Sequence, residues 1–262
     1  MADAPARIGV LLNRAAPALT LVGILLLWEA ACRFFAIPAF ILPAPSAIAT
    51  AGYKVSQAQW LTHFWATFRV SLAGFVLSVA LGIPLAILLA TSRLLSRTLF
   101  PILIIIQSTP IVAIAPIIVV TLGANDLPKI VITFIISFFP VVIGAATGLM
   151  ATPPELIELS RSLRAGRRRE ILQIRIPYAI PYIFSGLRVA VTLAVIGAVV
   201  AELVAADSGL GYFISISTSL FKMPQAFAAL FVLVTMSLAM FYAVGLIQRL
   251  AFPWSLPRNS RA

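Results

Sequence analysis

Four stretches of this chain run past twenty residues without a charged side chain. Arg69 and Arg93 enclose 23 such residues, Arg97 and Asp126 enclose 28, Lys129 and Glu155 enclose 25, and Lys222 and Arg249 enclose 26. A helix needs about 20 mainly apolar residues to cross a hydrocarbon core of about 30 Å. Water-soluble helices alternate polar and apolar faces, so gaps of this length leave lipid as the solvent. Two weaker stretches complete the set. Residues 16–36 carry Glu29 and Arg33, and residues 183–205 carry Arg188 and Glu202, each charge near a predicted helix end where it can reach the interface. The composition agrees: 61% hydrophobic and 10% charged, against about 45–50% and 25% in ordinary globular chains. The expected fold is an all-α integral membrane protein of six transmembrane helices.

Arg7 and Arg14 precede the first stretch, as in a secretory signal, but Trp28 and Glu29 lie inside it. It is read as an uncleaved first helix. Basic residues then set the orientation. With the N-terminus inside, Arg7, Arg14, Arg93, Arg97, Arg161, Arg164, Arg167, Arg168, Arg169, Arg175, Arg188, Arg249, Arg258 and Arg261 fall on the cytoplasmic side. Arg33, Lys54, Arg69, Lys129 and Lys222 fall outside, a split of 14 to 5. Both termini are therefore expected in the cytoplasm. The expected organisation is a cytoplasmic tail over 1–15, a first transmembrane helix over 16–36 and an extracytoplasmic connection over 37–66. A membrane-spanning core over 67–250 and a cytoplasmic tail over 251–262 follow. The net charge of +11 is the charge of these loops, and a nucleic-acid partner is not expected.

Chemical machinery is sparse. No G-x-x-x-x-G-K-[ST] occurs, and none of the three lysines follows a glycine, so no ATP-binding loop is present. Gly209-Leu210-Gly211 begins a dinucleotide fingerprint that lacks its third glycine and follows a membrane span. One histidine, His63, excludes a multi-histidine metal site; its place in a polar connection predicts a solvated side chain. Cys32 is the single cysteine, so no internal disulfide can form. The chain is not expected to be an enzyme or to bind a metal or cofactor. Pro84, Pro110, Pro116 and Pro140 interrupt the predicted spans, where neighbouring groups must satisfy the freed carbonyls.

Against this background one segment is unlike the rest. The 21 residues from Glu155 to Arg175 hold six arginines and three glutamates. Thr152 is placed to cap a helix with Pro153 at its first position and Glu155 three residues after the cap. Leu156, Leu159 and Leu163 fall on one face, and Gly166 is placed to end the helix. An amphipathic piece of this kind either rests on lipid headgroups or plugs into a soluble protein.

The segment resembles the EAA loop of bacterial ABC-importer permeases. Glu158 takes the place of the motif's glutamate, Leu159 and Ser160 its two alanines, and Arg164 its glycine. Ile174, Ile176 and Pro177 close it. With glycine replaced at Arg164, Gly166 is the residue available to take over the turn. The resemblance extends to permeases of the nitrate, sulfonate and taurine group: LPAPSAI at 42–48, STPIVAIAPIIVV at 108–120, LGANDLPK at 122–129 and FFP at 138–140. PYAIPYIFSGLRVAV at 177–191, AELVAADSGLGYFI at 201–214 and PW at 253–254 continue it.

The resemblance implies a bacterial inner-membrane permease subunit working as a dimer. Two cytoplasmic ATPase subunits would bind ATP and Mg, and an external solute-binding protein would deliver substrate. The loop over 152–177 would carry coupling helices seated on the ATPase, with Glu158, Leu159, Ser160, Leu163, Arg164 and Gly166 at the interface. Gln107, Ser108, Thr109 and Asn125, polar groups in or beside proline-broken spans, are candidates for the translocation pathway; interhelical hydrogen bonding is the alternative for each. LRVAVTLAVIGAVVAELVAADSGLGY and Pro128 before Lys129 look closest to the branch moving thiamine precursors, riboflavin and aromatic acids. Two other classes make distinct predictions. An ion-coupled secondary transporter would depend on Glu29 or Glu202, and a membrane scaffold would be indifferent to an ATPase.

Overall fold

The structure is a computed structural model that describes residues 4–123 and 125–256, with side chains from residue 16 onward. Arg258 and Arg261 lie outside the described residues, as do the side chains of Arg7 and Arg14. The helices are α1 (Ala4–Phe34), α2 (Pro45–Lys54), α3 (Gln57–Thr91), α4 (Arg93–Ser108), α5 (Ile111–Leu122) and α6 (Asp126–Met150). They continue as α7 (Pro154–Ser162), α8 (Arg167–Glu170), a π-helical turn (Ile171–Arg175), α9 (Ile176–Val204), α10 (Leu210–Ser219) and α11 (Met223–Ala251). Among the described residues, five helices are long and apolar enough to cross a membrane. α4 and α5 reach that length and hydropathy only as a pair, and they meet at 90°, the geometry of a broken span or a re-entrant loop. The stretch expected as one span from Arg97 to Asp126 is thus broken at Thr109–Pro110. Pro110 has no N–H to continue the helix and holds Thr109 extended (ψ 128°).

The backbone over 4–15 is helical and continuous with α1, since two arginines do not break a helix. The connection over 37–66 contains α2 and the first turns of α3.

Two compact units are present. One holds residues up to Trp60 together with Phe213–Phe231. Within it, Trp28 stacks on Phe231 (6.4 Å), and Val55, Phe213 and Ala229 make a small core against Trp60. The Trp60 indole N–H donates to the Gly52 carbonyl (3.0 Å). Cys32 is buried with a free thiol.

The larger unit comprises Leu61–Tyr212 and Val232 onward, and its spine is α6 lying along α9. Along their seam Thr133, Pro140, Gly144 and Gly148 of α6 meet Gly197, Gly186, Tyr182 and Ala179 of α9. In lipid no hydrophobic effect drives helices together, so close backbone approach must supply the attraction. Gly144 and Gly186 permit it: a Cβ on Gly144 would sit 2.8 Å from the Gly186 Cα. α3 joins the seam through the Ser78 and Ser137 hydroxyls, 2.7 Å apart. Large apolar side chains such as Val120, Leu72 and Leu88 point outward, as lipid exposure allows.

Candidate functional site

The arginine-rich segment folds as a short helix, a tight turn and a return into α9. Thr152 does not cap it. Its hydroxyl is buried and donates back to the Leu149 carbonyl of α6 (3.1 Å), while Pro153 takes the N-cap position without a side-chain bond. The helix ends at Leu163, not at Gly166. The Arg164 N–H donates to the Arg161 carbonyl (2.9 Å) and the Ala165 N–H to the Ser160 carbonyl (3.0 Å). This double closure requires a left-handed residue just beyond the cap, and Arg164 supplies it at φ 51°. Gly166, at φ −67°, instead caps α8. The turn therefore stays at the motif's glycine position although an arginine occupies it.

The segment's faces are sharply divided. Ser160 is buried at 2%, whereas Leu156, Leu159 and Leu163 are 40%, 56% and 73% exposed. Glu158, Arg164 and Gly166 are exposed around them. The leucine stripe thus faces away from the chain's own core. Rigid anchors hold this geometry. Glu170 is buried and accepts from Arg175 Nε (2.8 Å), with Arg175 Nη2 at 2.7 Å and Arg161 Nε of α7 at 3.8 Å. Arg167 donates to the Thr91 carbonyl at the C-terminus of α3, where a cation also meets the negative end of the helix dipole. Arg167 thereby ties the segment to α3, while Arg161 and Arg175 brace α7 and the start of α9 against Glu170.

At the far end of α9 lies a network that the sequence did not disclose. His63, expected to be solvated, is buried in α3, and its Nδ1 accepts the Gly209 N–H (3.1 Å). One turn on, the Thr67 hydroxyl accepts the Leu210 N–H (2.7 Å) and donates to Glu202 Oε2 (3.0 Å). The same oxygen accepts the Gly211 N–H (2.8 Å). Glu202 is wedged against Gly209, where a Cβ would fall 2.3 Å from the carboxyl carbon, and Gly209 adopts φ +122°. The two glycines read as an incomplete nucleotide fingerprint are therefore the seat of a buried carboxylate. The detectable signal was His63 and Thr67 at helical spacing, together with Glu202 seven residues ahead of G-x-G.

The other intramembrane acid is also engaged within the fold. Glu29 Oε1 accepts from Arg33 Nε (2.7 Å) and Ser46 Oγ (2.7 Å), and Oε2 accepts the Ser46 N–H at the start of α2 (3.0 Å).

The candidate pathway residues are not brought together by α4 and α5. Gln107, Ser108 and Thr109 sit at the 90° break, and Asn125 lies beyond the other end of α5. Twelve residues of α5 separate them by about 18 Å. The Ser108 and Thr109 hydroxyls donate to Ile104 (2.7 Å) and Ile105 (3.0 Å). Asn125 caps α6, accepting the Leu127 N–H at 2.8 Å. Gln107 is exposed.

The described residues thus form a polytopic helical bundle with an outward-facing arginine–leucine segment between α6 and α9. The comparisons specify the family. Residues 82–254 match the sequence family described as the binding-protein-dependent transport system inner membrane component, and the chain belongs to that family. It is thus an ABC importer permease and a multi-pass inner-membrane protein. The chain is 32% identical over 238 residues to the formylaminopyrimidine transport permease protein ThiX of Halalkalibacterium halodurans, covering 91% of this chain and 95% of that protein. It is 35% identical over 236 residues to the riboflavin transport system permease protein RibX of Chloroflexus aurantiacus, covering 90% and 88%. The nitrate import permease protein NrtB of Synechococcus elongatus is 34% identical over 141 residues, 54% of this chain and 50% of that one. Among solved structures, an inward-facing MetNI methionine ABC transporter chain shares the fold with a TM-score of 0.64 and 21% identity, over 74% of this chain and 98% of that one.

Proposed function

We propose that this permease imports a small organic solute of the vitamin-precursor or aromatic type, driven by ATP hydrolysis in partner subunits. Two copies would form the pathway, two cytoplasmic ATPases would bind ATP and Mg, and a solute-binding protein would deliver substrate from outside. Both termini and α7 would lie in the cytoplasm. The observation that carries the coupling role is the outward leucine stripe of α7 on a segment pinned by Glu170 and Arg167. An apolar centre with a charged rim is the anatomy of a docking surface, and Glu158, Leu159, Leu163, Arg164 and Gly166 would form it, with Ser160 supporting from beneath. The anchors make the segment a lever: force applied to α7 passes to α3 through Arg167 and to α9 through Arg175. The substrate class rests on the pyrimidine and riboflavin permeases matching nine-tenths of the chain, where the nitrate permease matches about half. Gln107, Ser108, Thr109 and Asn125 are proposed to meet the pathway only where the broken span of one copy faces the other.

The test is Glu158→Lys in the assembled transporter, with insertion, stimulated ATP hydrolysis and uptake measured together. Insertion should be unchanged, because Glu158 is exposed, while hydrolysis and uptake should both fall. Normal uptake with the reversed charge would remove Glu158 from the coupling surface.

A further inference from the structure

Arg188 carries a charge that no carboxylate among the described residues balances. It lies in the membrane-spanning helix α9, and Gly245 on α11 gives its guanidinium room to lie flat: a Cβ there would be 3.3 Å from Nη2 and 3.6 Å from Nε. Phe241 sits beneath the cation at 5.7 Å. Nη2 donates to Gln248 Oε1 (2.8 Å), and Gln248 in turn donates to Ser255 Oγ (3.1 Å), which donates to the Phe252 carbonyl (2.7 Å). Every partner is neutral. Arg188 Nε is buried without any acceptor. Among the described residues no carboxylate pairs with Arg188, and the sequence has no acidic side chain after Asp207. A cation held in a span without a counter-charge is costly, and such groups mark binding sites.

The same guanidinium opens on a cavity of about 580 Å³ that Arg249 also lines, with Tyr242, Ala243 and Leu246 as its apolar wall. Arg249 is exposed and likewise has no carboxylate partner among the described residues. Two arginines converging on one space suit a tetrahedral anion, which a planar guanidinium grips through two parallel N–H bonds. The neighbouring surface narrows the choice of anion. Leu238, Tyr242, Leu246 and Leu250 form an exposed apolar ridge along α11 at every fourth residue, suited to an acyl chain. The cavity lies near the C-terminal end of α11, where Arg249 is in the last turn, the depth at which headgroups meet a spanning helix.

We propose that Arg188 and Arg249 form a phosphate-binding site, occupied by the headgroup of an anionic phospholipid whose acyl chain follows the α11 ridge. Bound there, the lipid would supply the counter-charge for Arg188 and join α9 to the end of α11. The inference is independent of the solute carried and of the ATPase contact.

The test uses the purified full-length permease in nanodiscs of phosphatidylcholine, of phosphatidylcholine with phosphatidylglycerol, and of phosphatidylcholine with inorganic phosphate in the buffer. Phosphatidylglycerol should raise Tm by about 5–10 °C, the shift expected of a ligand near a hundredfold over its Kd. Arg249→Gln, at an exposed position, should fold normally and lose much of that rise. Arg188→Lys, which keeps the charge but not the fork, should lose part of it, and native mass spectrometry should show less co-purified phosphatidylglycerol in both variants. An equal rise with inorganic phosphate alone supports the site and assigns it to a free anion. A Tm indifferent to both anions, or a rise that survives Arg249→Gln and Arg188→Lys unchanged, overturns the proposal. That indifference is also the result expected if a carboxylate from another protein pairs with Arg188.

Discussion

Replacing Gly209 by alanine probes the Glu202 network directly. Two costs combine at this position. At φ +122° an L-residue occupies a strained region, at about 1–3 kcal/mol. The new methyl would also fall 2.3 Å from the Glu202 carboxyl carbon and 2.4 and 2.5 Å from its oxygens. These atoms cannot retreat freely, because Oε2 is held by Thr67 and Gly211; forced repacking of this kind costs about 1–3 kcal/mol. Together the loss is about 2–6 kcal/mol. At about 2–4 °C per kcal/mol for a chain of this size, Tm should drop by roughly 4–24 °C. The assay is thermal unfolding of detergent-purified protein followed by size-exclusion fluorescence. Gly166→Ala is the matched control: φ is −67° and no atom lies within 4 Å of its Cβ, so Tm should not move. Combining Gly209→Ala with Glu202→Ala removes the obstructing carboxylate, and the two losses should fall short of additive. A Gly209→Ala protein that melts with the wild type would refute the wedge.

Two further outcomes concern the coupling segment. Arg164→Gly removes the left-handed strain of about 1–2 kcal/mol but adds unfolded-state freedom of about 0.5–1 kcal/mol, so a small net gain and a Tm higher by about 1–3 °C are expected; a lower Tm would show that the Arg164 side chain contributes contacts worth more than its strain. Glu170→Gln abolishes the charge that holds Arg175 and Arg161, costing about 1.5–3 kcal/mol. Uptake per ATP hydrolysed should decline with it, because α7 is no longer tied to the start of α9; unchanged coupling would show that the Arg167 anchor alone transmits the movement.

Five spans, and the apolar stretch that folds as the bent pair α4 and α5, were legible because lipid imposes a length and an absence of charge, and both are local properties of sequence. The leucine stripe and its arginines were legible for a similar reason, being properties of one short helix. What escaped were choices between local alternatives. Thr152 had a competent capping position, yet the start of α7 follows two prolines and the hydroxyl found the end of α6 instead. Gly166 had the intrinsic preference for the turn, yet the length of α7 places the closing residue at Arg164. The break at Thr109–Pro110 was visible as a proline but not as a right angle, since a proline within a span bends a helix by an amount its neighbours decide.

His63, Thr67 and Glu202 show where the division falls. By itself the sequence determined that the chain spans a membrane many times, that it carries one basic knob, and that it has no ATP-binding loop of its own. Burial in lipid and helical periodicity act over a window of twenty residues or fewer, so no long-range contact is needed to read them. The tertiary structure alone decided that a threonine on α3 would meet a glutamate 135 positions beyond it, that His63 would meet Gly209, and that Arg188 would lie against Gly245 without a carboxylate among the described residues. Those outcomes depend on which helix faces pack together, and that is set by close contacts of small residues such as Gly144 and Gly186, whose consequences are felt only when both helices are in place.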